Sequence, residues 1–233
     1  MPAKANDGKQ LETVVDGVRY LRIPIKTKLV LEGDDITEVV TTFASALLRD
    51  RDVLFVTEKI VAITQGRSYP TESIIPRKLA TWLSGHVART PSGIGLGLPQ
   101  TMEMALRECG TPRIVLAAAV AAVTKPFGRR GDFYRVAGPK ARGIDGPTSG
   151  TIPPFNAHVV LAPERPHEVA RALRAALGGN VEVLITDIND LGGNVLGSTV
   201  DRARTRTLER VLRDNPLGQG HQSTPMGIIR REQ

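Results

Sequence analysis

Two aspartates stand where their surroundings would let them do chemistry. Asp145 lies in Gly143-Ile-Asp-Gly146, a carboxylate on a turn between extended stretches, and Asp187 closes the apolar run Val181-Glu-Val-Leu-Ile-Thr186. Asp190 follows three residues later in Asp187-Ile-Asn-Asp190. Carboxylates at strand ends with small neighbours suit Mg²⁺ or Mn²⁺ that also touches phosphate oxygens. Taken singly, each is more often a turn-forming residue than a ligand. Near the C-terminus, Gly218-Gln-Gly220 offers the amide oxygen of Gln219 on a turn, or simply connects a hairpin.

Other constellations point elsewhere. Gly93, Gly95 and Gly97 precede a helix and could present backbone N–H groups to phosphate. Their spacing is neither the dinucleotide fingerprint nor a P-loop, so a pliable helix start is the plainer reading. The four histidines and the single cysteine, Cys109, show no metal-ligand spacing, and zinc is not expected. No Gly-x-Ser-x-Gly elbow is present.

The chain that must position these groups has 233 residues, 41% hydrophobic and 24% charged, enough to bury a core and too apolar for disorder. Its longest apolar run, Ile114 to Val123, is far shorter than a membrane span, and no signal pattern leads the chain. A soluble cytoplasmic protein is expected. The net charge of +7 suits a polyanionic small substrate such as a nucleotide; nucleic acid is unlikely with only 4% aromatics. The five arginines between Asp201 and Asp214 read mainly as a solvated helix face.

Residues 1–10 read as a flexible polar tail, and 11–233 as one domain with an inserted subdomain at about 68–135. Leu11 to Leu31 is extended, with Pro24 at a strand edge or turn. Asp34 or Asp35 caps a helix carrying Ile36, Val39, Val40, Phe43 and Leu47. Strands are expected at Asp52 to Val56, His158 to Leu161, Val181 to Ile185 and Met226 to Ile229. Helices are expected from Pro76 with Leu79, Trp82 and Leu83 inward, through Met102 to Cys109, over Glu164 to Leu177, and over Asp201 to Asp214. Ile114 to Val123 is strand or buried helix, and Phe127 to Gly138 a basic turn followed by a short strand. Alternating helices and strands give a mixed α/β, α+β architecture.

Against this frame, Asp52 to Arg67 (DVLFVTEKIVAITQGR) resembles a segment of the coenzyme F420-0:γ-glutamyl ligase family. Ile23-Pro24-Ile25 with Gly33-Asp-Asp-Ile36, Gly143-Ile-Asp145, Val183 to Asp187, and Gly218-Gln219 with Pro225 are similar to further family elements, in family order. The resemblance implies a γ-glutamyl-ligase-like fold of two closely packed subdomains, dimeric. It also implies a ligase that uses GTP, or ATP, with Mg²⁺ or Mn²⁺ to join L-glutamate to a carboxylate acceptor through an acyl phosphate. The acceptor is the coenzyme F420 precursor, or for a divergent member a related acid such as a folate; a nucleotide-binding homologue without ligase activity is the alternative.

Carried onto this chain, the metal ligands are Asp145, Asp187 and Gln219, with Asp190 added to them, and Asp145 and Asp187 are the catalytic residues. The expected nucleotide contacts are Ile23, Pro24, Ile25, Lys26, Glu58, Lys59, Thr148, Gly218, Gln219 and Gly220. Departures accompany the matches. Ile63 and Gln65 replace a lysine and a glutamate, Thr148 an asparagine, and Ile188 a threonine, with Asn189 or Asp190 as substitute oxygen donors. Asp190 to Gly197 replaces a Gly-Arg-Pro-x-Arg segment. Lys59 or Lys26 is expected to take over the phosphate contact of the lost lysine.

Overall fold

The computed structural model describes residues 4–87, 95–129, 131–189, 192–218 and 220–232. In chain order the elements are β1 (Glu12–Val15), β2 (Val18–Ile25), α1 (Ile36–Ala44), β3 (Val53–Thr57), α2 (Glu58–Thr64), β4 (Ser68–Pro70) and α3 (Lys78–Ser84). They continue with α4 (Pro99–Cys109), α5 (Thr111–Thr124), α6 (Asp132–Ala137), α7 (Pro139–Arg142), β5 (His158–Val160) and α8 (Pro166–Leu177). The last are β6 (Glu182–Asn189), β7 (Gly192–Ser198), α9 (Arg202–Val211) and β8 (Met226–Arg231). The protein is mixed α/β. Two compact units form: Met1–Gly66 with Pro163–Gln233, and Arg67–Ala162.

The first unit is built on a six-stranded sheet of order β1-β2-β8-β3-β6-β7. Only β3 and β6 pair in parallel; the other neighbours are antiparallel. Period-two alternation sorts the side chains onto two faces. Leu54, Val56, Val183, Ile185 and Ile228 join a core that includes residues of α1, α2 and α8. Val53, Phe55, Leu184 and Ile229 join a second core with Leu208, Val211 and Leu212 at α9. With both faces covered, β3 and β6 read as continuous apolar runs, and each fully buried large side chain contributes about 1.5–3 kcal/mol. Pro24 pairs with Gly227 of β8, whereas the β1 ladder ends at Leu21. Its missing N–H therefore falls on the unladdered side.

Asp35 caps α1 by accepting from the N–H groups of Thr37 and Glu38. The helix ends at Ala44, and Leu47 beyond it is exposed rather than on its inner face. The apolar stretch Ile60 to Ile63 is α2, following β3 without a linker. Strand β6 runs past its expected end to Asn189, and the Gly-rich segment after it forms β7, a strand the sequence did not announce. A bulge at Leu196 interrupts that pairing, with Ile185 opposite Gly197 and Thr186 opposite Val195. Gly197 is required by close approach: a Cβ there would lie 2.3 Å from the Pro166 backbone.

The second unit packs helices around its own core, with β4 and β5 as a two-stranded ribbon. Ile114 to Val123 resolves as helix: α5 begins with Pro112 in its first turn, where a missing N–H costs nothing. The expected strand after Phe127 is instead α6. Gly131 (φ +86°) and Gly138 (φ +96°) delimit it. Within it, buried Asp132 takes Arg135 at 2.5 Å, an i,i+3 pair that a strand would point to opposite faces. Trp82, expected inward, is 62% exposed and lies against the His86 ring at 4.7 Å. No helix among the described residues is long and apolar enough to cross a membrane.

Candidate active site

In the first unit, β2, β3 and β6 run in the same direction, so their C-terminal ends open on one edge of the sheet. Such edges are where α/β sheets gather ligands, because chain segments leave the strands there and backbone polar groups run out of ladder partners. The parallel ladder ends at Thr57 opposite Thr186. Glu58 and Asp187 are therefore the first residues beyond it on adjacent strands. By alternation, Asp187 belongs to the face of Val183 and Ile185, the face that includes α2 residues. Glu58 is buried and in the first turn of α2, while Lys59 and Asp187 are half-buried.

Strand β2 brings Ile23, Pro24 and Ile25 to the same edge, with Lys26 exposed just past the strand. The segment before β8 is fastened there: Thr57 N–H donates to the Pro225 carbonyl at 2.9 Å, and Thr27 N–H to the Ser223 carbonyl at 2.9 Å. The Ser223 hydroxyl returns a bond to the Thr27 carbonyl at 3.1 Å. One residue that sequence reasoning missed closes this loop. The Asn6 side-chain amide donates to the Leu217 carbonyl and to Thr224 Oγ1, each at 2.6 Å, clipping the two ends of the segment that carries Gly218 and Gly220. Nothing in the local sequence of a polar N-terminus signals a partner 211 positions away.

Asp145 and Thr148 belong to the second unit, and both are exposed. The Asp145 backbone is held by a two-way bridge to Val160, at 2.8 and 3.0 Å, while Ile144 beside it is buried in the unit's core. Gly146 makes room for α4: a Cβ there would meet the Thr101 methyl at 3.2 Å. Thr101 in turn ties down the described end of the glycine-rich segment, donating to the Gly95 carbonyl at 2.7 Å. Gly93, Asp190 and Gln219 lie outside the described residues.

The replaced positions have local explanations. Ile63 is 2% exposed, so this position of α2 faces packing rather than solvent. Ile188 packs against the α9-side core, on the opposite face of β6 from Asp187. Gln65 makes a reciprocal pair with the Glu164 backbone: its amide donates to the carbonyl at 3.0 Å and its oxygen accepts from the N–H at 2.8 Å. An ionised glutamate could only accept.

The side chains of Asp187, Glu58 and Asn189 bring oxygens to this edge, the ligand type that hard divalent cations take. Among the described residues no group of three or more His, Cys, Asp or Glu is gathered for a metal.

Residues 24–193 match the family model described as F420-0:Gamma-glutamyl ligase, most of the 233-residue chain. The chain belongs to the F420-0:γ-glutamyl ligase family. Membership implies a ligase of F420 cofactor biosynthesis, with glutamate and an acceptor as its substrates. No curated protein matches the chain. The family match includes Pro24, Glu58, Lys59, Asp145 and Asp187, and stops short of the 218–225 segment that the structure fastens to the same strand ends.

Proposed function

We propose that the protein is a nucleotide- and divalent-metal-dependent γ-glutamyl ligase that couples L-glutamate to a carboxylate acceptor, the F420 precursor or a related acid. One observation supports it above the others. Four segments distant in sequence deliver Pro24 and Lys26, Glu58 and Lys59, Asp187, and the segment of Ser223 and Pro225 to one end of one sheet. GTP, or ATP, would bind along this edge, with Lys26 and Lys59 near its phosphates and Pro24 and its neighbours forming a rigid wall. Bound Mg²⁺ or Mn²⁺ would be held by Asp187 with neighbouring oxygens and would neutralise phosphate charge.

In the first step the acceptor carboxylate attacks the γ-phosphorus, the bond to the β,γ-bridging oxygen breaks, and nucleoside diphosphate leaves. The glutamate amine then attacks the acyl carbon, phosphate departs, a proton is lost from nitrogen, and an amide remains. The chain's own part is to align these groups and exclude water from the acyl phosphate. A homodimer completes the proposal, checked by light scattering.

The experiment is incubation with GTP or ATP, Mn²⁺ and glutamate, with and without a deazaflavin or folate acceptor. Nucleoside diphosphate formed only when an acceptor is present is the expected result; its absence with every acceptor sinks the ligase. The second reading, a nucleotide-binding homologue without turnover, is favoured by the apolar settings of Ile63 and Ile188, and would show binding alone.

A further inference from the structure

The opposite end of the same sheet carries an arginine-lined cleft of about 1180 Å³, wholly within the first unit. Four separate segments furnish it: the β1–β2 turn and the start of β2, the turn before β3, α9, and the end of β8. Arg19, Arg49, Arg51, Arg204, Arg230 and Arg231 line it, against three carboxylates. It sits at Val53, the start of β3, whereas Glu58 follows that strand's other end. Four residue steps of strand separate Val53 from Thr57, about 13 Å.

Asp50, Asp52 and Glu232 offset part of this charge, and the six arginines still outnumber them. Asp52 is committed to Arg230, accepting Nε at 2.9 Å and Nη2 at 2.6 Å, and Glu232 lies 3.5 Å from Arg19. Arg49, Arg51, Arg204 and Arg231 are exposed, and none of them is in a salt bridge with a carboxylate among the described residues, although the charge of Arg204 is felt by Asp201. The frame beneath them is built. Buried Asp52 also accepts the Arg49 N–H at 2.8 Å, the Asp52 N–H donates to the Arg49 carbonyl at 3.1 Å, and the Arg51 N–H donates to the Asn180 carbonyl at 2.8 Å. This turn holds Arg51 at φ +67°, a conformation that L side chains avoid and that glycine would adopt freely.

We propose that this cleft is a second anion site, separate from the candidate active edge, that binds a small ligand bearing a linear polyphosphate. Guanidinium forks pair with phosphate oxygens bidentately, and several of them converging on one concavity call for densely clustered charge. A concavity furnished by four short segments suits a small molecule better than a nucleic acid duplex, which a basic stripe would serve.

The test is calorimetric titration of the full chain with inorganic tripolyphosphate, in EDTA and at two salt concentrations. The variants are Arg51→Gly combined with Arg204→Ala, and Asp187→Asn. Arg51→Gly removes a guanidinium where glycine is conformationally preferred, so an unchanged melting temperature in the variant separates lost binding from lost folding. The expected result is one site, weakened at least 10-fold by the double substitution and by added salt, and unaltered by Asp187→Asn. ATP binding like tripolyphosphate shows that the phosphate chain suffices; tighter ATP binding adds a nucleoside contact, and both support the site. No binding, binding indifferent to the arginines, or binding lost in Asp187→Asn overturns it. So does tighter binding of duplex RNA or of tri-γ-glutamate through the same arginines. Ligase turnover is read in a separate assay, so either conclusion can fail without the other.

Discussion

Carboxylates clasped by cations and carboxylates at strand ends differ in setting, and the two units supply examples of each kind. In the second, buried Glu103 and Asp132 and half-buried Glu108 are enclosed by cations: Glu103 by Arg77 and Arg107, Glu108 by Arg67 and Lys140, and Asp132 by Arg129 and Arg135. Each of these carboxyls is held below its ordinary range, because the arginine and lysine hydrogen bonds together outweigh any desolvation by burial. In the first, Glu58 and Asp187 stand at the ends of two parallel strands, where the ladder has just stopped. Acids clasped by two cations within a helical unit act as fasteners, whereas in the proposed function the acids at the strand ends take part in the reaction. Substituting a clasped acid should therefore cost stability, and substituting a strand-end acid should cost activity.

The largest effect should come from Asp187→Asn. The amide keeps the shape and loses the charge, so turnover should fall by about 10³-fold, about 4 kcal/mol of transition-state stabilisation, with little change in melting temperature. Steady-state kinetics beside a thermal melt reads both. Retained activity, or a collapsed fold, would make Asp187 another fastener and erase the contrast. Asp145→Asn sharpens the same question in the second unit: it is the exposed acid there that the family resemblance marks for function. Loss of turnover with the fold intact would set it apart from Glu103, Glu108 and Asp132.

Arg22 breaks the simple division and is the next test. It lies in the first unit, yet it is 1% exposed and behaves as a fastener. Its guanidinium donates to the carbonyls of Gln10, Glu12 and Val211 and to the Asp214 carboxylate, joining the N-terminal segment, β2 and α9. Arg22→Ala strands these acceptors and should lower stability by about 3 kcal/mol in urea titration. Arg22→Lys should rescue little of this, since one ammonium cannot reproduce the fork. A near-neutral Arg22→Ala would mean that water replaces the guanidinium.

What could be read in the chain follows the same divide. The sheet was legible because β3 and β6 are apolar throughout, and α1 because Asp35 sits two and three residues before the N–H groups it accepts. Asp187 was legible as an acid closing an apolar strand. Strand β7 was not: its glycines and asparagine carry no strand preference, and the hairpin with β6 supplies the reason it is extended. In the second unit α6 was misread, because Phe133, Tyr134 and Val136, β-favouring by type, pack with Ala137 into the helical core, a tertiary fact that local preference does not carry. Long-range fastening was illegible everywhere; Asn6 holding Thr224 is a fact of topology, not of local pattern.

A smaller effect is expected for Glu103→Gln, and it carries a sign. The folded-state pKa of Glu103 lies below the ordinary 4.5, so its stabilising contribution is complete above that value and lost as pH falls through the folded pKa. The variant should be less stable by about 1–2 kcal/mol at neutral pH, with the gap closing in acid. Urea midpoints from pH 7 down to pH 3 test it, and a gap that widens in acid would reverse the assignment.

The smallest prediction concerns Asn6, where fastening and function meet. Asn6→Ala removes two bonds from the ends of the 218–224 segment without touching the strands beneath. Because the Ser223–Thr27 and Thr57–Pro225 bonds remain, the loop should loosen rather than detach. Nucleotide KM should rise a few-fold, about 1 kcal/mol, with kcat nearly unchanged. If instead kcat falls and KM stays constant, the loop is needed at the transition state, and Asn6 would be a positioning residue of the reaction rather than a clip on the binding edge.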